Sequence, residues 1–274
     1  MTIAQDASEQ TEDQQAVSEG GPDASLSSTL MRGIEILQCF SSLEQELSNA
    51  DIARRMGLKR PTVSRLCKTL LHMGYLRKTQ KGAFRLAPQL LSLTYPVLAT
   101  MPWRHNVGGP MREIAEMCSG NASVGVMSGT SFVHVQTAGI PPGWPHVPDI
   151  GQTGPLLHSA LGWSLLSMLG ARDYDEKITE IQARHGQDYE DSRAVMEAAV
   201  ARCRSEGFCV SYGDWRPDLV AAGAPLGQTK DGLWVAIACA VPRYRAVADY
   251  FEADLGPRLA EAAASIRLSG VFRL

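Results

Sequence analysis

No stretch of this 274-residue chain is apolar for long enough to cross a bilayer, and its first residues are acidic where an export signal would be basic. The expectation is a cytoplasmic protein without a membrane partner. The six cysteines (Cys39, Cys67, Cys118, Cys203, Cys209 and Cys239) form no CxxC or other close ligand pair, so they read as reduced core thiols. Catalytic frameworks are equally sparse. There is no glycine loop to cradle phosphate and no GxSxG elbow. His105, His134, His146, His158 and His185 show no metal spacing. His158 beside Ser159 offers a base and a hydroxyl, but neighbours on a helix do not face each other. Cys209, a nucleophile only beside a positioned histidine, lies in an apolar strand pattern. No catalytic residue, metal or cofactor is expected. A catalytic or protein-interaction role for the C-terminal half remains the alternative.

One further absence points somewhere. Between Lys59 and Arg85 there is no Asp or Glu, while Lys59, Arg60, Arg65, Lys68, Arg77, Lys78, Lys81 and Arg85 are basic. The net charge of −3 hides this module: residues 1–23 carry six acids and no base, whereas residues 24–103 carry 11 bases against 4 acids. An unopposed basic surface attracts a phosphate backbone through counterion release. At about 100° per residue, Val63, Leu66, Cys67, Leu70 and Leu71 share one arc of a helix. Pro61, Arg65, Lys68 and His72 fall opposite, with Thr62, Ser64 and Thr69 on the flanks. Pro61 suits the first helical position and Gly74 the end. A shorter helical pattern precedes Gly57-Leu58. Tyr75–Thr79 and Ala83–Ala87 read as a hairpin around Lys81-Gly82, with Tyr75, Phe84 and Leu86 turned inward. That order is a winged helix-turn-helix. Arg60, Thr62, Ser64, Arg65 and Lys68 are expected at a major groove or its phosphate rim, with Arg65 on a guanine. Arg77, Lys78, Lys81 and Arg85 would hold the wing on the backbone. Winged helices that bind protein or RNA share the fold, but the basic face favours duplex DNA.

The apolar content of 45% can fill the cores of two domains. Residues 1–25 read as a disordered acidic tail, 26–87 as the winged helix-turn-helix, 88–103 as a linker helix and 104–270 as a second domain. A first helix over Leu30–Phe40, capped by Ser28 or Thr29, would bury Ile34, Leu37 and Phe40. The linker helix starts at Pro88 and carries Leu90, Leu91, Leu93, Val97 and Leu98. It leaves so little polar surface that a partner chain is expected to cover it, burial within its own chain being the alternative. Pro96 should kink or end it. Beyond it, Met111–Cys118 reads as helix, then Ala122–Met127 and Phe132–Thr137 as a hairpin, and Gly139–Pro155, with Trp144, as a loop. Helices follow at His158–Leu169, Tyr174–Arg184 and Ser192–Glu206. Strands at Phe208–Tyr212, Val220–Pro225 and Leu233–Val241 precede a last helix over Ala246–Leu268. The class is α+β, with a mixed sheet covered by helices.

These patterns resemble the IclR family of bacterial transcription regulators from about Ser28 to Gly270. The matching residues are Arg32-Gly33-Ile34-Glu35-Ile36-Leu37, Asp51-Ile52-Ala53, Gly57-Leu58, Thr62-Val63-Ser64-Arg65-Leu66 and Gly74-Tyr75-Leu76. Further on come Gly151, Pro155-Leu156, Ser159-Ala160-Leu161-Gly162, Gly207-Phe208-Cys209-Val210 and Ala224-Pro225. The resemblance implies a C-terminal effector-binding domain of GAF-like topology, a double-stranded DNA operator, control by a small molecule, and a homodimer or dimer of dimers. Family members often place an acid, a cysteine and two serines around the effector. Here those positions fall on Ser211, Ala221, Ala238 and Ala240. With Ser159 and Ala160 nearby, the remaining candidates are apolar: Met127, Leu156, Leu161, Trp163, Trp215, Leu219 and Trp234 either line a pocket or only fill the core. The expected effector is more hydrophobic or aromatic than a short oxo-acid, with an aromatic acid as the candidate.

Overall fold

The computed structural model describes residues 26–139, 147–247 and 249–273. The acidic tail, and Trp144 and His146 of the glycine- and proline-rich loop, lie outside them. The chain divides into two compact units between Val97 and Leu98.

In the first unit, α1 (Ser28–Gln38) is capped by Ser27, whose hydroxyl accepts from the Leu30 amide at 3.4 Å. Its buried residue is Ile36, and Ile34, expected inside, is 49% exposed. Helix α2 (Asn49–Met56) starts with a reciprocal box: the Asp51 amide donates to Ser48 Oγ and the Ser48 amide to Asp51 Oδ2. Gly57 ends it in the left-handed region at φ 62°. Helix α3 (Arg60–His72) follows with Arg60, not Pro61, in first position. Strands β1 (Leu76–Lys78) and β2 (Phe84–Leu86) pair antiparallel around Gly82. Val63, Leu66, Cys67 and Leu70 of α3 close the core with Ile36, Ile52, Leu76 and Phe84. Phe84 and half-buried Tyr75 turn inward as expected, but Leu86 is exposed and Leu76, opposite it, takes its place.

After a 3-10 turn over Pro88–Leu90, α4 (Leu91–Ala99) runs through Pro96 rather than ending there. None of its residues is buried, and Leu91 and Tyr95 are 69% and 73% exposed. Leu93 and Val97 are exposed as well, so the first unit does not bury this helix among the described residues.

Among the described residues the second unit is a six-stranded sheet with helices on both faces. Its strands are β3 (Asn121–Ser128), β4 (Ser131–Gly139), β5 (Thr153–Pro155), β6 (Cys209–Ser211), β7 (Leu219–Gln228) and β8 (Trp234–Pro242). They lie in the order β5-β4-β3-β8-β7-β6 with every pairing antiparallel, where a mixed sheet was expected. Helix α5 (Trp103–Cys118) starts well before Met111 and continues through Pro110. Buried Trp103, Val107, Met111, Ile114 and Cys118 recur at helical spacing across the proline, and their packing outweighs the missing amide. With α9 (Gly256–Leu268), α5 covers the sheet face that bears Val124, Val126, Ala222, Ala224, Ile237 and Cys239. The last helix begins later than Ala246, because Asp249 takes φ 61° and a π turn over Phe251–Leu255 intervenes.

Helices α6 (Ala160–Ser167), α7 (Ala171–His185) and α8 (Gln187–Glu206) belong to the opposite face, where Leu156, Leu161, Trp163, Met196, Cys209, Ala236 and Ala238 share one cluster. Close approach there depends on glycine: a Cβ on Gly223 would stand 2.3 Å from the Ala160 carbonyl oxygen.

Candidate DNA-reading surface and effector face

On α3 the buried stripe fixes what remains outside. Arg60, Ser64, Arg65 and Lys68 are exposed and Thr62 is half-buried. Arg77, Lys78 and Lys81 are exposed on the wing. Arg85 differs. Its guanidinium donates to Gln45 and stands 3.6 Å from Glu46, so this cation is partly neutralised within its own unit. On α2, Arg54 and Arg55 pair with Asp51 and Glu44 at 2.8 and 2.5 Å. Glu44, Glu46 and Asp51 thus pair with cations outside α3, and no ion pair among the described residues engages Arg60, Arg65 or Lys68 on the helix face.

In the second unit the strand register brings the four departures together. Ser211 faces Ala221 across β6 and β7, Ala221 faces Ala240 across β7 and β8, and Ala240 faces Asn121 on β3. The next row on the same face holds Cys209, Gly223, Ala238 and Ser123. Buried Asn121, Ser123, Ser211 and Ser159 thus border a floor of alanine and glycine. A carboxylate stands beside this row: Ser211 Oγ donates to Asp214 Oδ2 at 2.8 Å, and the Tyr212 amide donates to the same oxygen at 3.0 Å. Ser159 is committed to the fold, accepting from the Gly162 amide as the cap of α6 and donating to the Pro155 carbonyl.

His134 of β4, without metal spacing in the sequence, also faces this side. It lies opposite Gly125 and packs edge-on against Phe132 at 5.1 Å, and Phe132 meets Trp215 at 5.9 Å. Among the described residues its Nδ1 is buried without a hydrogen-bond partner. Burial pushes its pKa down from 6.5 to about 4, so the ring is neutral near pH 7 and offers one donor and one acceptor. A polar residue between Phe132 and Val135 in an apolar strand was the signal available; the spacing of histidines alone does not carry it.

The apolar candidates divide. Leu156, Leu161 and Trp163 are buried, and the Trp163 indole nitrogen donates to the Leu157 carbonyl at 2.7 Å, which makes that ring part of the core. Trp215, Trp234, Leu219 and Met127 are half-buried. Met127 stands six residues along β3 from Asn121, roughly 20 Å at the rise of an extended strand, so one small molecule does not touch it and Ala240 together. Ala160 lies directly over Gly223. A groove of about 540 Å³ between α5 and α9, with Val107, Glu113 and Arg258 in its walls, is on the other side of the sheet and holds none of these residues.

Comparison with known proteins bears on both surfaces. Residues 29–80 match the IclR helix-turn-helix domain, and residues 96–268 match the C-terminal domain of bacterial transcriptional regulator IclR. The chain is 26% identical over 238 residues to the HTH-type transcriptional regulator TsaQ1/TsaQ2 of Comamonas testosteroni, which covers 84% of each protein. It is similar to the crystal structure of an IclR family transcriptional regulator from Brucella abortus, with a TM-score of 0.78 and 28% identity over 93% of this chain and 95% of that one. An IclR homolog from Microbacterium hydrocarbonoxydans, solved in complex with 4-hydroxybenzoate, shares the fold. Its TM-score is 0.66 at 17% identity, over 88% of this chain and 100% of that one.

Proposed function

Because the chain belongs to the IclR family of bacterial transcription regulators, we propose that α3 and the wing read duplex DNA while a small aromatic acid, held on the α6 side of the sheet, decides when they do. The observation that carries the effector class is the row of Ser211, Ala221 and Ala240, with Ala238 beside it. Three positions that would anchor a small polar acid are methyl groups, and the nearby Phe132–Trp215 pair offers aromatic edges instead. Neutral His134 suits a ring hydroxyl better than a bare carboxylate. The 4-hydroxybenzoate complex of a protein with the same fold is consistent with this class. Calorimetric titration should show 4-hydroxybenzoate or a related aromatic acid binding more tightly than glyoxylate or pyruvate. Preference for the short acids would sink the aromatic reading.

On the DNA side, Arg60, Thr62, Ser64, Arg65 and Lys68 are the reading residues, and Arg77, Lys78 and Lys81 hold phosphates. Arg85 contributes less, because Glu46 and Gln45 already engage it. A mobility-shift assay on the DNA upstream of the chain's own gene tests this: specific sequence should compete and bulk DNA should not. Effector control requires only that the effector bind the DNA-competent and DNA-incompetent states with different affinity. The exposed apolar residues Leu91, Leu93, Tyr95 and Val97 of α4 support a homodimer or dimer of dimers, which sedimentation would reveal. Such a regulator works where its operator is, in the cytoplasm.

A further inference from the structure

Folding brings together two histidines that lie far apart in sequence, at a place neither surface uses. His158 sits just before α6, His185 in the last turn of α7 and Asp188 in the first turn of α8. His158 Nε2 is 2.9 Å from Asp188 Oδ2, and His185 Nδ1 is 3.5 Å from the same oxygen. All three atoms lie within 4.8 Å of one another, and among the described residues no other trio of His, Cys, Asp or Glu does so. The two imidazoles are only 17% and 22% exposed, while Asp188 opens to solvent.

From these distances we infer that His158, His185 and Asp188 form a binding site for a divalent transition metal of the zinc type. Ligands about 2.0–2.1 Å from a tetrahedral ion stand roughly 3.3 Å apart, a value that the two measured separations bracket. Two imidazole nitrogens and one carboxylate oxygen suit zinc, cobalt or nickel, whereas magnesium and calcium favour sets made of oxygen. The open side at Asp188 leaves room for a water as fourth ligand. The competing account is a hydrogen-bonded cluster with no metal. In it, Asp188 accepts from both rings, is held below the usual carboxylate range chiefly by the His158 hydrogen bond, and suits a helix N-terminus. Both accounts predict that the cluster forms, but only the first predicts that a metal binds. An ion here would tie the α7–α8 junction to the segment that leads into α6, whose cap, Ser159, is the next residue after His158.

The full chain, stripped with a chelator, is titrated with Zn²⁺ by calorimetry and with Co²⁺ by visible absorption. One equivalent per chain, a tetrahedral cobalt spectrum and a zinc-dependent rise in melting temperature are expected. His185→Ala and Asp188→Asn should each weaken zinc binding at least tenfold and abolish the thermal shift. The amide oxygen that D188N introduces could still accept a hydrogen bond, so this variant should keep the melting temperature of the metal-free protein, which separates ligand loss from misfolding. His105→Ala, a change at an exposed histidine elsewhere in the unit, should alter nothing. Absence of saturable binding up to millimolar zinc would overturn the inference. So would binding that survives both His185→Ala and Asp188→Asn, since the metal would then sit elsewhere.

Discussion

The two units use their interiors in opposite ways. In the first, the core formed by Ile36, Ile52, Val63, Leu66, Cys67 and Leu70 is wholly apolar, and every proposed DNA contact stands on its outer side. In the second, the proposed effector face runs through the interior itself. Buried Asn121, Ser123, His134 and Ser211 share it with alanines and glycines that let α6 approach. A reader built on surface charge can change its partner without touching its core. A sensor built inside a core cannot, because each polar group it keeps for a ligand is one the fold must tolerate.

The sharpest break of that comparison is Leu66→Ala. Leu66 is buried and its neighbour Arg65 is exposed. Removing the leucine should cost the first unit about 2–5 kcal/mol of stability and take DNA binding with it. Denaturant unfolding would show the loss, and a midpoint equal to that of the unchanged protein would mean the stripe is not core. The sensor has a different weakness, its buried histidine. The folded pKa of about 4 lies below the ordinary 6.5, so between these values the unfolded chain binds more protons than the folded one. The stability tied to His134 is complete above 6.5 and is lost as pH falls towards 4. The loss is on the order of 3 kcal/mol. Unfolding midpoints measured across that range should flatten in His134→Asn, and an unchanged slope would place the acid sensitivity elsewhere.

How much of this could be read in advance differs between the units for a physical reason. The helix-turn-helix is local: caps, a left-handed glycine and a 3.6-residue stripe all lie within one stretch, so α3 and its outward residues followed from the sequence. The misreadings there, Ile34 and Leu86, are apolar residues that the small unit cannot bury. The effector face is assembled from strands far apart in the chain. The resemblance supplied Ser211, Ala221, Ala238 and Ala240, and the register then aligned them. His134, Asp214 and the His158–His185–Asp188 trio carried no local pattern, since each acquires its neighbours only through pairing or helix packing. Helix α5 extends upstream of Met111 because the buried Trp103 and Val107 continue its stripe across Pro110, and that packing is set by the sheet rather than by the local sequence.

The finest test of the comparison sets two charges within the reader against each other. Arg65 stands on α3 opposite the buried stripe, and Lys81 stands at the turn of the wing; both are exposed, and neither belongs to the hydrophobic core. Neither Arg65→Ala nor Lys81→Ala should therefore shift the unfolding midpoint. In DNA binding they should diverge. Arg65→Ala should cost roughly 1–3 kcal/mol on the operator and relax discrimination at one base pair, because a guanidinium bonded to guanine carries sequence information. Lys81→Ala should weaken operator and random DNA alike and lower the slope of log affinity against log salt by about one, because a phosphate contact carries charge and nothing else. Binding measured on both DNAs across a salt series reads the two effects separately. If the arginine change moved only the salt slope and the lysine change moved discrimination, the roles of helix and wing would have to be exchanged.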